Sequence, residues 1–273
     1  MRTLLLFLAV GAVGFAQSNA DRRAAWNQPV KPFRVIGNIY YVGAHVSSFL
    51  IRTPAGDILL DGGLPETAPL IEKNIAALGF SIKDVKFLLN SHAHYDHCGG
   101  LAELKKLSGA KMIASERDAH VLNSGAGEFE HFPAVHVDKI VADKETVQLG
   151  GVTLTAHVTP GHTQGCTTWT MPVTDSGKTY HVVFYCSTSV VDKLVNNTAY
   201  PNIVSDYEHS FAELWKMPCD VFLAPHAEFF ALDEKRKQLE AGKLDAFVDS
   251  TEMHKFVADS ESAFRKQLAA ERH

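Results

Sequence analysis

The sequence predicts an α+β fold in which two packed mixed sheets carry helices on their outer faces. Three observations point there. Strand-like segments followed by helix-like ones occur twice along the chain. No linker or low-complexity stretch divides the two halves. At 273 residues and 46% hydrophobic composition, the chain can bury one substantial core. A single domain over residues 21–273 is the expectation.

After a polar lead containing Trp26, the segments Phe33 to Val42 and Ser47 to Arg52 read as strands. Thr53-Pro54-Ala55-Gly56 turns into a third, Asp57 to Leu60, so the opening is a hairpin-like meander. That strand ends at Asp61-Gly62-Gly63. Pro65 and Glu66 then open a helix whose Leu70, Ile71, Ile75 and Leu78 keep helical spacing, with Gly79 as its stop. Val85 to Leu89 is a compact apolar run that suits a buried strand. Leu101 to Leu107 suits a short helix, and Ala110 to Ala114 another strand. From Asn123 to His136 the pattern dissolves into Gly, acidic and aromatic residues, a loop long enough to be a binding lid or a disordered segment.

The second group of strands is Thr146 to Leu149, Val152 to Thr159, Cys166 to Val173 and Tyr180 to Ser187. Gly150-Gly151 and Asp175-Ser176-Gly177 supply turns between them. Ser205 to Trp215 reads as a helix and Val221 to Leu223 as a short buried strand. Helices at Glu234 to Leu239 and Thr251 to Ala269 follow, the last with Met253, Phe256, Val257, Phe264 and Leu268 on one face for packing on a sheet.

A net charge of −5 with no basic stretch argues against nucleic-acid binding. Residues 1–20 read as a secretory signal peptide: Arg2 precedes the apolar run Leu4 to Val13, which is too short to span a membrane, and small residues follow. Cleavage after Ala16 or after Ala20 fits equally. The expected location is the periplasm, with no membrane attachment after cleavage and a monomeric state. Export exposes Cys98, Cys166, Cys186 and Cys219 to an oxidising compartment. Three full pairings and partial pairing are open; Cys166 and Cys186, in neighbouring predicted strands, are the preferred pair.

The chemistry concentrates in Ser91 to Gly100, between the buried strand and the short helix. Three imidazoles and a carboxylate, His92, His94, Asp96 and His97, crowd into six residues. These ligand types suit a divalent ion such as zinc. His92 and His94, two apart, point to the same side of an extended chain, while Asp96 and His97 lie where the chain turns. One loop can thus serve two nearby metals, but four ligands cannot close two sites. His162 in Pro160-Gly161-His162-Thr163 and His226 in Ala224-Pro225-His226-Ala227 each follow a strand and complete them. The expected sets are His92, His94 and His162 for one ion, and Asp96, His97 and His226 for the other. Three protein ligands plus water is the pattern of a catalytic zinc. Asp61, also at a strand end, is a candidate for orienting a ligand imidazole, or else for capping the turn that follows. His45, His157 and His181 have no such setting and read as structural.

His92-Ala93-His94-Tyr95-Asp96-His97, with Gly161-His162-Thr163 and Pro225-His226, resembles the motif set of the metallo-β-lactamase superfamily. Ser47 to Ile51, Leu60 to Ala68, Cys166-Thr167-Thr168-Trp169 and Cys219 to His226 are similar to the B3 subclass of true β-lactamases. The resemblance runs from about Trp26 onward. It implies an αββα sandwich with a two-zinc groove at one edge, and family members often pair cysteines at the positions of Cys166 and Cys186. It also places Ser187 and Ser189 where subclass serines contact the substrate carboxylate. Thioesterases and lactonases of the superfamily usually carry a metal-bridging Asp at the strand end occupied here by Phe184 to Ser187, which has no carboxylate. Gln164, where Pro is frequent, and Glu228, where smaller residues are usual, depart from the pattern beside ligand positions.

The activity so implied is zinc-dependent hydrolysis of the β-lactam amide of penicillins, cephalosporins or carbapenems by a metal-bound hydroxide. Two Zn2+ per chain act, Asp96 is the catalytic carboxylate, and Ser187 and Ser189 bind the small-molecule β-lactam. The alternatives are a lactonase or thioesterase of the same fold, or a non-catalytic periplasmic zinc-binding protein.

Overall fold

Alternation along the strands decides how the layers stack. In β3 (Phe49–Thr53), Phe49 and Ile51 join one apolar cluster while Leu50 joins another; in β4 (Gly56–Leu60), Ile58 and Leu60 join the first and Leu59 the second. A strand with apolar residues on both faces must be covered on both. The computed structural model describes residues 19–273, so the signal peptide expected at 1–20 lies outside the described residues except for its last two positions.

The first sheet begins with β1 (Phe33–Ile36) and β2 (Ile39–Tyr41), which run antiparallel to each other and on to β3 and β4. Phe33 to Val42 is therefore two short strands rather than one, because the chain reverses at Gly37, whose φ is +49°. The helix α2 (Ala68–Ala77) then crosses to β5 (Val85–Leu89), which lies parallel to β4. The sheet closes with β6 (Lys111–Ser115) and β7 (Lys139–Val141), both parallel, giving seven strands in sequence order. Between these strands lie α3 (Tyr95–Cys98), α4 (Leu101–Ser108) and α5 (Glu116–Ser124). Ile71, Ile75, Leu101, Leu104, Ala119 and Leu122 of α2, α4 and α5 pack with Leu50, Leu59 and Leu88 in one cluster.

The second sheet contains β8 (Thr146–Leu149), β9 (Val152–Val158), β10 (Thr167–Asp175), β11 (Lys178–Phe184) and β12 (Val221–Leu223). Its order is β12-β11-β10-β9-β8, with only β11 and β12 parallel. The helices α6 (Ile203–Leu214), α7 (Leu232–Glu240) and α8 (Glu252–Glu271) follow. Phe256 of α8 meets Phe222 of β12 at 5.4 Å between ring centroids, as expected of the apolar face predicted for that helix. The two mixed sheets with helices outside are the fold read from the sequence.

Trp169 of β10, fully buried, joins the sheets where it matters. Its indole N–H donates to the carbonyl of Asn90 at 3.0 Å, just beyond β5. The strand ends of both sheets are thereby brought to a common edge.

Candidate metal centre

At that edge β5 runs out into Asn90 to His94 before α3 begins. Asp61, just past β4, adopts φ +63°, a left-handed conformation that side chains other than Gly seldom take. It accepts the Ser91 backbone N–H at 2.7 Å and so braces the start of the loop. Behind α3 the chain passes so close to its neighbours that a Cβ on Gly100 would sit 2.3 Å from the carbonyl oxygen of Gly62. This contact, with the Gly62 N–H donating to the His97 carbonyl at 2.7 Å, fixes where His97 and Asp96 point.

His162 follows β9 and His226 follows β12. The His226 strap pairs with Val46, and Ser47 donates its N–H to the Pro225 carbonyl at 2.8 Å, which ties the second sheet to the first. The Nδ1 of His162 lies 2.7 Å from the Ser189 carbonyl. That bond presents Nε2 to the groove.

The structure brings all six expected ligands together, in the two sets read from the sequence. The ring centroids of His92, His94 and His162 form a nearly equilateral triangle of 4.8, 4.7 and 4.7 Å. In the second set an Asp96 oxygen lies 3.2 Å from Nε2 of His97 and 3.5 Å from Nε2 of His226. The ligand-capable atoms of each set lie within 4.8 Å of one another. Two ligands bonded at about 2.0–2.1 Å to a tetrahedral zinc stand about 3.3 Å apart, so the second set already has ligand spacing.

The donors also lack other partners. Nε2 of His92 and of His94 is buried with no hydrogen-bond partner, and in the second set Nε2 of His97 and of His226 faces the Asp96 carboxylate. Buried polar atoms of this kind are costly unless something binds them. Electrostatics agrees. Burial, then the neighbouring imidazoles, holds His92 well below its usual range, and burial first pushes His162 and His226 down to about 3. These rings are neutral at pH 7 and offer lone pairs. Burial would lower His97, but the Asp96 carboxylate outweighs it and raises it. Burial also opposes ionisation of Asp96, yet His97 beside it keeps that carboxyl well below its usual range. The residues therefore fit a metal, and their N and O donors suit zinc.

A third grouping, His92 with Cys166 and Cys186, has similar spacing, but the two cysteines form a disulfide with Cα atoms 5.9 Å apart. The preferred pairing is the observed one; Cys98 and Cys219 are free and buried.

Ser187 and Ser189 line the same groove, of about 510 Å³, as the six expected ligands. The Ser187 hydroxyl accepts the Ser189 N–H at 3.2 Å and so keeps its own O–H for the groove. Of two further walls, one is absent from the sequence reading of the site and the other is the loop that the sequence reads as a binding lid or a disordered segment. The helix α1 (Asn19–Trp26) replaces the expected polar lead and sets Trp26 5.4 Å from the His226 ring. The long loop sets Phe129 5.0 Å from the His94 ring, and Arg23 of α1 pairs with Glu130 at 2.5 Å. Trp26, the one large aromatic in a polar stretch, was the available signal.

A two-sheet sandwich gathering five imidazoles and a carboxylate at one edge defines the class, a metal-dependent hydrolase. The metallo-beta-lactamase superfamily model matches residues 42–226, and the chain belongs to that superfamily. BJP-1, a subclass B3 metallo-β-lactamase of Bradyrhizobium japonicum, is 41% identical with a TM-score of 0.86, over 91% of this chain and 97% of that one. FEZ-1 metallo-β-lactamase from Legionella gormanii is also 41% identical, with a TM-score of 0.88 over 90% and 98%. A hydroxyacylglutathione hydrolase of Bradyrhizobium sp. (strain ORS 278) is 32% identical over 116 residues, 42% of this chain. That match spans 39% of the relative's own length.

Proposed function

We propose that the chain hydrolyses the amide bond of β-lactam antibiotics, with two zinc ions held by the two ligand sets. The observation that carries this reading is the end of β11. No carboxylate stands there to bridge two metals in the manner of the superfamily's thioesterases and lactonases, and Cys186 is tied to Cys166. The likeness to subclass B3 enzymes over nearly their whole length points the same way.

Bound zinc supplies an acidified water near neutral pH and Lewis acidity toward the carbonyl. The chain's own residues do the rest. Asp96, ionised and aimed into the groove, accepts a hydrogen bond from the attacking water and holds it in line. Ser187 and Ser189 donate to the substrate carboxylate and so hold the ring amide in register. The carbonyl of Ser189 meanwhile holds His162, so the segment that binds substrate also sets a ligand. No acyl-enzyme is required, and the serines are not nucleophiles. The disulfide and the signal-like N-terminus support export to the periplasm.

The test is turnover of a penicillin, a cephalosporin and a carbapenem by zinc-loaded protein, with and without chelator. Hydrolysis abolished by chelator is expected; zinc-replete protein inert toward all three sinks the proposal. A second reading, thioester hydrolysis, is favoured by the hydroxyacylglutathione hydrolase relatives. Faster turnover of a glutathione thioester than of any lactam would establish it instead.

A further inference from the structure

We infer that Asp118 is a positioning residue, a buried carboxylate that clamps the two ligand-bearing turns of the three-histidine set to each other. It belongs to α5, outside the metal loop, and is 2% exposed. Its contacts divide between the two turns. From the first, the Asn90 side-chain amide donates to Oδ2 at 3.2 Å, and the Ala93 backbone N–H, between His92 and His94, also donates to it. From the second, Thr163, next to His162, donates its hydroxyl to Oδ1 at 3.4 Å.

Packing closes the same clamp. A Cβ on Gly165 would lie 2.2 Å from Asp118 Oδ1, so the turn after His162 lies directly against the carboxylate. Ser115, just before α5, donates its hydroxyl to the Gly165 carbonyl at 2.7 Å and holds that turn from a second point. His92 and His94 come from the first sheet and His162 from the second. Asp118 is the buried acid through which they are registered, and every polar contact aims a donor at it. Replacing it by Asn sets an amide N–H against one of those donors, whereas the volume hardly changes.

The inference rests on the metal-centre reading and is tested by zinc affinity of the full chain, measured by chelator competition, together with Tm. The variants are Asp118→Asn, Thr163→Val and Leu122→Ala, the last a fully buried residue of the same helix that reports lost packing alone. D118N is expected to lose about 10- to 100-fold in zinc affinity, T163V several-fold, and L122A less than about threefold despite an equal or larger fall in Tm. Unchanged affinity in D118N, or a loss in L122A that matches it, overturns the clamp. Should D118N not fold, T163V decides, because its unchanged affinity also overturns the clamp and a several-fold loss at constant Tm upholds it. Wild-type protein that binds no zinc sinks the metal centre itself, a failure distinct from either of these.

Discussion

A buried carboxylic acid holds its proton more tightly than an exposed one. Asp118 is pushed up to about 7 because burial outweighs the donors from Asn90, Thr163 and Ala93. Between its unfolded value near 3.8 and about 7, the folded chain binds a proton at Asp118 that the unfolded chain has released. Stability from this group is therefore present at low pH and lost as pH rises through that window. Urea denaturation of metal-free protein should show wild-type stability falling relative to D118N by up to about 1.4 kcal/mol per pH unit. A pH-independent difference would refute it. Residue by residue, local density decided what could be read in advance. His92, His94, Asp96 and His97 announce themselves because they stand within six positions. His162 and His226 were found by their strand ends. Asp118 has partners 28 and 45 positions away, and nothing near it in the chain hints at either.

Among the elements, an apolar stripe or alternation marks most of those legible in the sequence, and α5 and β7 lack one. Val85–Leu89 matches its strand end to end. The helix α5 was missed because its buried face is Asp118, Ala119 and Leu122, too little apolar surface to show a helical period. β7 has three residues, two of them exposed, and carries no alternation signal. The loop after α5 was left between lid and disorder. Its Phe132 and Val135 are buried, so it is anchored, while Phe129 remains 54% exposed beside His94. An exposed aromatic over a groove costs little to remove and contributes where substrate binds. Phe129→Ala is accordingly expected to change stability by less than about 0.5 kcal/mol. Lactam KM should rise several-fold and kcat should stay within about twofold, as for lost uniform binding. A fall in kcat at unchanged KM would assign Phe129 to the chemistry instead.

At the level of the whole molecule, zinc held by the two proposed sets would cross-link what the fold only juxtaposes. The metal loop leaves the seven-stranded sheet, whereas His162 and His226 leave the five-stranded one. The layered architecture could be read from composition and period, but the registration of one sheet on the other could not. It depends on pairs such as Trp169 with Asn90 and Val46 with His226, which lie far apart in sequence. Each ion that joins ligands from both sheets binds the folded chain and not the unfolded one, since the unfolded chain does not hold its ligands together. Linkage then sets the gain at about 4.1 kcal/mol per site when free zinc is 1,000 times its dissociation constant. Calorimetry with increasing zinc should show Tm rising with the logarithm of free metal, and chelator should return it to the metal-free value. His226→Ala leaves the three-histidine set whole and should keep roughly half of that rise. His92→Ala and His226→Ala combined should abolish it. A Tm indifferent to zinc would mean that the two sheets are not joined through these side chains.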